Sequence, residues 1–200
     1  MEKKLKQINI NIVKVVLFGP ESSGKTTLSK LLARHYNTVW APEYARDYLQ
    51  NKWNNERKIC EISDMLPIAE GQIKLENELA KKADRVLICD TDLLETKVYS
   101  EEFYGGYVHP DLEKAATQNT YDLYLLTYID VPWKKDDIRD RPEQRQEMFN
   151  AFENALKKYN KPYVLLKGTK KDRLEIAIKE IDIILKSKSN LCRFLGKPSE

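Results

Sequence analysis

Eight consecutive residues near the start of the chain restrict its fold more than any other part of the sequence. They read Gly19-Pro20-Glu21-Ser22-Ser23-Gly24-Lys25-Thr26 and match the pattern G-x-x-x-x-G-K-[ST] at every fixed position. A β-branched run precedes them, and leucines at helical spacing follow. A glycine-containing loop in this setting wraps its N–H groups around phosphate oxygens, and the helix adds its positive end. The pattern therefore predicts a phosphate-binding loop within an α/β domain.

The rest of the chain repeats the alternation of strand and helix. Short apolar runs predict strands at residues 12–18, 38–41, 86–89, 121–127 and 162–166. Apolar residues at helical spacing predict helices after the loop, from Asp64 onwards, around residues 148–159 and around residues 174–185. Apolar strands that alternate with helices are typical of a parallel sheet covered on both faces. We therefore predict a three-layer α/β P-loop NTPase fold with a parallel sheet of about five strands.

Composition bounds the size and the partners. Two hundred residues fit one domain, so we expect a single unit over residues 1–200, with a flexible N-terminus at 1–11 and a tail at 187–200. Lys and Arg number 34 against 31 Asp and Glu, a net charge of +3 with the signs interspersed. Because nucleic-acid binders usually cluster basic residues on one face, we expect no nucleic-acid partner.

Cysteines and hydropathy indicate the cellular setting. The three cysteines lie far apart, without a Cys-x-x-Cys pair, and the chain has two histidines, so a zinc site is not expected. Cys89 lies in an apolar run, which predicts a buried, reduced thiol. No segment resembles a signal peptide or approaches the roughly 20 apolar residues of a membrane span. We expect a soluble, cytoplasmic protein with no membrane partner.

Residues of the loop have separate expected roles. Lys25 should reach the β- and γ-phosphates of a nucleoside triphosphate, and the Thr26 hydroxyl should hold Mg²⁺. The residues expected to bind the nucleotide within the loop are Gly19, Glu21, Ser22, Ser23, Gly24, Lys25, Thr26 and Thr27.

Two aspartates follow the third predicted strand directly. A P-loop site usually has a carboxylate there on the metal side, and Asp90 fits that position. Asp92 is expected to point towards the acceptor and to engage the attacking hydroxyl. Either residue would instead be explained as a helix or turn cap.

Glu43 and Arg46 follow the second predicted strand. Ligands of parallel sheets lie at the carboxyl ends of the strands. Glu43 is therefore a candidate for the base that accepts the proton of a substrate hydroxyl, and Arg46 for holding substrate or phosphate. An exposed Glu–Arg pair without a function is the alternative.

A charged segment after the fourth predicted strand contains the candidate lid. Arg139 and Arg141 are expected to fold over the nucleotide, with Arg139 stabilising charge on the transferred group. Arg145 lies just beyond them, and a solvated loop is the alternative reading of the segment.

Aromatic residues surround the expected acceptor site. Trp40 and Tyr44 are candidates for stacking on a flat heterocycle, while packing is the alternative. The same choice applies to Tyr48, Tyr104 and Tyr107.

Taken in order, these residues resemble the ribosylnicotinamide kinase domain of NadR-type proteins. The resemblance extends from about Val13 to about Gly168. Its features are the Gly-Pro-Glu-Ser-Ser-Gly-Lys-Thr-Thr loop, Glu43-Tyr44-x-Arg46-x-Tyr48, Asp90-Thr91-Asp92, Gly105, His109-Pro110, Pro132-Trp133 and Asp137-x-Arg139.

The resemblance implies an NMP-kinase-like fold and ATP-dependent phosphorylation of the ribose 5′-hydroxyl of nicotinamide riboside. The product would be nicotinamide mononucleotide, a salvage step towards NAD. NadR proteins carry an adenylyltransferase domain before the kinase domain, and about a dozen residues precede the first strand here. The resemblance therefore leads us to expect a stand-alone kinase.

Three other functions remain open from the residues alone. The first is a kinase for another nucleoside-like acceptor, the second is a regulatory P-loop ATPase without a small-molecule acceptor, and the third is a nucleotide-binding module without catalysis. The tail carries Leu191, Cys192, Phe194 and Leu195, so docking against a second copy of the chain is a further expectation.

Overall fold

The computed structural model describes residues 5–135 and 142–195, with the side chains of residues 191–195 left out. The strands are β1 (Val13–Phe18), β2 (Trp40–Ala41), β3 (Val86–Asp90), β4 (Leu123–Thr127) and β5 (Tyr163–Leu166). The helices are α1 (Lys25–His35), α2 (Tyr44–Glu56), α3 (Met65–Ala80), α4 (Leu93–Phe103), α5 (Pro110–Gln118), α6 (Arg145–Lys158) and α7 (Lys170–Leu195). The residues that could dock the tail to a second copy lie outside the described side chains.

All five strands are parallel and form one sheet in the order β2-β3-β1-β4-β5. The phosphate-binding loop follows the central strand β1, whose neighbours are β3 and β4. The ends of these three strands therefore meet at one edge, where ligands of parallel sheets bind. The predicted parallel, five-stranded P-loop fold is confirmed.

Each face of the sheet is covered by its own core, because alternate residues of a strand point to opposite faces. On one face Phe18, Cys89 and Tyr124 pack against α6 and α4. On the other face Leu17 and Ile88 pack against α1 and α7. Cys89 is fully buried as predicted. The two cores give the predicted three layers.

Three helices lack a recognisable pattern in the sequence. Helix α4 is buried on most sides, so its apolar residues form no stripe, whereas α2 has no buried residue. Helix α5 begins at Pro110, and His109 caps it by accepting a hydrogen bond from the Asp111 N–H at 3.2 Å.

The predicted second strand, residues 38–41, is shortened to Trp40 and Ala41 in the structure.

No helix among residues 5–135 and 142–195 is long and apolar enough to cross a membrane.

Candidate active site

The phosphate-binding loop has the backbone that its glycines permit. Gly19 has φ +136° and Gly24 has φ +93°, conformations that side-chain-bearing residues rarely adopt. A Cβ on Gly19 would also lie 2.8 Å from Thr127 Oγ1 and 2.9 Å from the Thr127 carbonyl oxygen. The end of β4 therefore leaves room for glycine alone at the first position of the loop.

Ser23 and Arg173 hold the loop against the ends of β4 and β5 through hydrogen bonds. The Ser23 hydroxyl lies 2.6 Å from both the Pro20 carbonyl oxygen and Thr127 Oγ1. Arg173 of α7 donates to the Ser23 carbonyl oxygen at 2.8 Å and to the Gly168 and Tyr128 carbonyl oxygens, and it pairs with Asp130. A buried guanidinium thus joins the loop to the ends of β4 and β5.

Arg145 braces the outer side of the loop. It donates to the carbonyl oxygens of Val131 at 3.1 Å and Ser22 at 3.3 Å. The Lys134 N–H donates to Ser22 Oγ at 2.8 Å. The segment after β4 is therefore attached to the loop at Ser22. The predicted lid residues Arg139 and Arg141 lie outside the described residues.

Lys25 lies at the base of the loop and is 7% exposed. Its ammonium donates to the carbonyl oxygens of Gly19 at 2.6 Å and Pro20 at 3.2 Å, and it lies 3.0 Å from Glu95 Oε1. Burial lowers the pKa of Lys25, but the charges of Glu95, Glu43 and Asp90 outweigh burial and raise that pKa. Lys25 is therefore held as a cation where the phosphates are expected.

Asp90 ends β3 beside Thr26, as expected for a metal site. It is 1% exposed, and neither carboxylate oxygen has a hydrogen-bond partner of good geometry. Burial and the Glu43 charge raise the pKa of Asp90 to about 6, although Lys25 and the Thr26 hydroxyl oppose the rise. A buried carboxylate with unpartnered oxygens next to a hydroxyl fits Mg²⁺, which prefers oxygen ligands and takes few from the protein.

Two adjoining cavities open at this edge of the sheet. The first has a volume of about 360 Å³ and is lined by the loop together with Arg46, Lys134 and Arg173. The second has a volume of about 130 Å³ and is lined by Thr91, Glu95 and a largely apolar and aromatic wall. Glu21 and Glu43 line both cavities. We refer to them as the donor cavity and the acceptor cavity.

The wall of the acceptor cavity comes from four elements. It consists of Ala45, Leu49, Lys58, Ile59, Cys60, Met65, Ile68, Gln72, Thr96, Tyr99, Phe103 and Tyr104. Of the aromatic candidates from the sequence, Tyr104 lies in this wall, whereas Tyr107 is 50% exposed.

Glu43 and Arg46 lie at the predicted edge. Glu43 precedes α2 without capping it through its side chain, so its carboxylate is available where the two cavities join. Arg46 lines the donor cavity together with the loop.

Glu95 belongs to this site, although the sequence analysis did not include it. It is 1% exposed, its Oε2 accepts a hydrogen bond from the Gly19 N–H at 3.3 Å, and its Oε1 faces Lys25. Burial and the charge of Glu43 raise the pKa of Glu95 to about 8, although the charge of Lys25 opposes the rise. The Asp92-x-x-Glu95 spacing at the start of α4 is the sequence signal that marks this position.

The predicted acceptor role of Asp92 needs correction. Its Oδ1 accepts the Glu95 N–H at 3.0 Å as the N-cap of α4, and its Oδ2 accepts the Tyr124 hydroxyl at 2.8 Å. Thr91 has φ +89°, which turns the chain between the two aspartates. Asp92 lines neither cavity and is 1% exposed, so the capping alternative describes it.

The predicted stacking roles of Trp40 and Tyr44 also need correction. Trp40 pairs with Ile88 and packs on the α1 face of the sheet, with the Lys30 ammonium over its ring. The Tyr44 ring lies against Gly71 of α3 and beside Tyr48. Neither side chain lines the donor or the acceptor cavity, so both are assigned to packing.

Comparisons with known proteins point to one group. A family model described as an AAA domain matches residues 14–173. The trifunctional NAD biosynthesis/regulator protein NadR of Salmonella typhimurium is 32% identical over 155 residues, which are 76% of this chain and 38% of that protein. NadR of Escherichia coli K12 is 32% identical over 152 residues, 75% of this chain and 37% of that protein. The chain thus spans less than two fifths of the length of these curated relatives.

A solved structure agrees with these sequence matches. A crystal structure of NadR protein in complex with NR has a TM-score of 0.68 at 21% identity, covering 95% of this chain and 52% of that chain. At this identity the match establishes a shared fold.

Proposed function

The chain belongs to the AAA-domain family whose model covers residues 14–173, and from this premise we propose that it is an ATP-dependent kinase of nicotinamide riboside. The reaction transfers the γ-phosphoryl group to the ribose 5′-hydroxyl and yields nicotinamide mononucleotide and ADP. The relatives named NAD biosynthesis proteins and the NadR structure bound to NR support this choice of acceptor.

The donor side of the proposal is the loop. Its N–H groups and Lys25 bind the triphosphate, and Thr26 with Asp90 would hold Mg²⁺. When bound, Mg²⁺ would neutralise part of the negative charge of the phosphates. Arg46, which also lines the donor cavity, is assigned to the substrate or the phosphates. Arg139 and Arg141 remain predicted lid residues.

The acceptor side of the proposal depends on Glu43. In phosphoryl transfer the protein mainly positions the two reactants and stabilises charge, and a carboxylate accepts the hydroxyl proton. Glu43 lines both cavities, which is where an attacking hydroxyl meets the γ-phosphate. Tyr99, Phe103 and Tyr104 provide apolar surface for a flat heterocycle.

One observation carries the proposal: a phosphate-binding cavity and a second, partly aromatic cavity adjoin and share Glu21, Glu43 and Leu49. A regulatory ATPase needs the first cavity but has no use for the second. A kinase for another nucleoside-like acceptor has the same donor side and differs in the acceptor that it accepts. We place the reaction in the cytoplasm as part of the proposal, since the donor is ATP.

Acceptor-dependent ATP consumption tests the proposal. The purified chain is incubated with Mg²⁺, ATP and either nicotinamide riboside, a ribonucleoside, a deoxynucleoside or no acceptor, and ³¹P NMR identifies the phosphate ester. We expect strong stimulation by nicotinamide riboside, with the product phosphorylated at the 5′ position. The Lys25→Ala variant, prepared in parallel, controls for contaminating kinases. Equal ATP consumption in every reaction would contradict the proposal and favour an ATPase.

A further inference from the structure

The ammonium of Lys25 has three polar partners within the protein. It donates to the carbonyl oxygens of Gly19 and Pro20, and it forms an ion pair with Glu95 Oε1 at 3.0 Å. The two carbonyl groups belong to the loop itself, whereas Glu95 comes from α4. To reach the β- and γ-phosphates, Lys25 has to give up at least one of these partners.

Glu95 is the partner whose position is fixed independently of Lys25. Its backbone N–H is bound by the N-cap Asp92, and its Oε2 accepts the N–H of Gly19. The side chain is 1% exposed and lines the acceptor cavity. A carboxylate held in this way stays where it is when the flexible lysine side chain moves.

We propose that Glu95 is a positioning residue that holds Lys25 in its resting place, and that nucleotide binding exchanges the carboxylate for the triphosphate as the partner of Lys25. This inference rests on the proposed use of ATP but not on the identity of the acceptor. After the exchange, Glu95 is buried without a cation, a costly state for a carboxylate. Glu95 therefore takes a proton from solvent when the nucleotide binds.

The charges around Glu95 determine the sign of this proton exchange. Lys25 from α1 favours the ionised form of Glu95, whereas Glu43, which precedes α2, and Asp92 at the start of α4 oppose it. From α3 the cavity receives the uncharged Met65, Ile68 and Gln72. The other titratable residues that line it are Glu21, Lys58, Cys60, Tyr99 and Tyr104. Departure of Lys25 and arrival of a negative triphosphate both raise the pKa of Glu95 above its resting value of about 8. Binding therefore consumes a proton.

Calorimetry with a non-hydrolysable ATP analogue and Mg²⁺ tests the exchange without any acceptor. At pH 8.5, Asp90 and Asp92, with pKa values of about 6 and about 7, are already ionised, as is the terminal phosphate. Titrations in two buffers of different ionisation enthalpy then measure protons taken up. For the unaltered chain we expect uptake of about half a proton or more per nucleotide.

Two matched variants separate the exchange from a general charge effect. Glu95→Gln should abolish the uptake and bind the analogue at least about fivefold more tightly, because Lys25 is released. Glu43→Gln removes a nearby charge that has no direct contact with Lys25 among the described contacts, and it should retain the uptake.

The possible outcomes are distinct. Uptake that persists in Glu95→Gln, or weaker binding by that variant, would overturn the proposal. If Glu95→Gln does not fold, absence of uptake by the unaltered chain is sufficient to overturn it. Failure of nicotinamide riboside to stimulate ATP consumption would refute the proposed acceptor and leave this experiment valid.

Discussion

The contact between Tyr44 and Gly71 predicts that the effect of Gly71→Ala on the free energy of unfolding changes sign when the Tyr44 ring is removed. Gly71 lies inside α3, where replacing glycine by alanine ordinarily stabilises a helix by about 0.5–1 kcal/mol. Here an added Cβ would lie closer than 3.0 Å to three atoms of the Tyr44 ring. Overpacking of this kind costs about 1–3 kcal/mol. Gly71→Ala should therefore destabilise the chain by roughly 0–2.5 kcal/mol despite the gain in helix propensity.

Removal of the ring should reverse the sign. In a Tyr44→Ala background, Gly71→Ala should stabilise by about 0.5–1 kcal/mol. The two positions should therefore show a coupling energy of about 1–3 kcal/mol in a double-mutant cycle. Urea denaturation of the four proteins, followed by circular dichroism, measures the free energies of unfolding.

Additivity would refute the reasoning. If Gly71→Ala has the same effect in both backgrounds within about 0.5 kcal/mol, the Tyr44 ring does not lie on Gly71. The position of Tyr44 also makes Tyr44→Ala a stability variant, whereas a stacking role would raise the KM for the acceptor.

Four other perturbations test the site. Lys25→Ala should lower kcat by about 10²-fold or more, since a buried cation at the phosphates is lost, while the circular dichroism spectrum stays unchanged; turnover at the normal rate would contradict its role. Arg173→Lys should raise the KM for ATP by about tenfold and change kcat less, because a lysine ammonium cannot bond three carbonyl oxygens and Asp130 as the planar guanidinium does. Lys171→Ala, at an exposed position, should leave the KM for ATP unchanged. Asp92→Ala should lower the free energy of unfolding by about 1–2 kcal/mol, because the N-cap of α4 and the acceptor of the Tyr124 hydroxyl are lost, and it should change kcat less than Asp90→Ala does; the opposite order would restore a catalytic role for Asp92. The melting temperature of the nucleotide-free chain should fall as the pH rises from about 5 to 8. The pKa values of Asp92 and Glu95 are raised on folding, to about 7 and about 8, so both acids contribute stability below their unfolded pKa values and lose it as they ionise. The fall up to about pH 7 should be shallower in Asp92→Asn, where Glu95 still titrates, and equal slopes in the two proteins would contradict the assignment.

The sheet was predictable because its signal is local. Each strand is an apolar run that ends in a turn, and the order of runs and helices implies parallel pairing. Helix α4 was missed because it is buried on most sides, so its apolar residues do not recur with the helical period of 3.6 residues. Helix α2 was missed because none of its residues is buried, so it has no apolar stripe.

The site was predictable only where neighbours in sequence are neighbours in space. Lys25, Thr26 and Asp90 follow from motifs at strand ends. The contact of Lys25 with Glu95 spans 70 positions and that of Ser23 with Arg173 spans 150, distances at which one sequence carries no pairing signal. Trp40 was misassigned because its side of the sheet depends on the register with Ile88, which a two-residue strand does not reveal.

The bond from Arg173 to Ser23 has a consequence for biosynthesis. The ribosome makes the phosphate-binding loop early and the guanidinium that braces it 150 residues later. Throughout that interval the nascent chain carries a complete G-x-x-x-x-G-K-T motif whose Ser23 carbonyl lacks its partner. Affinity for ATP should therefore be a late acquisition of the growing polypeptide. The nucleotide should then favour chains in which Arg173 has reached Ser23, since a ligand stabilises the folded form by mass action.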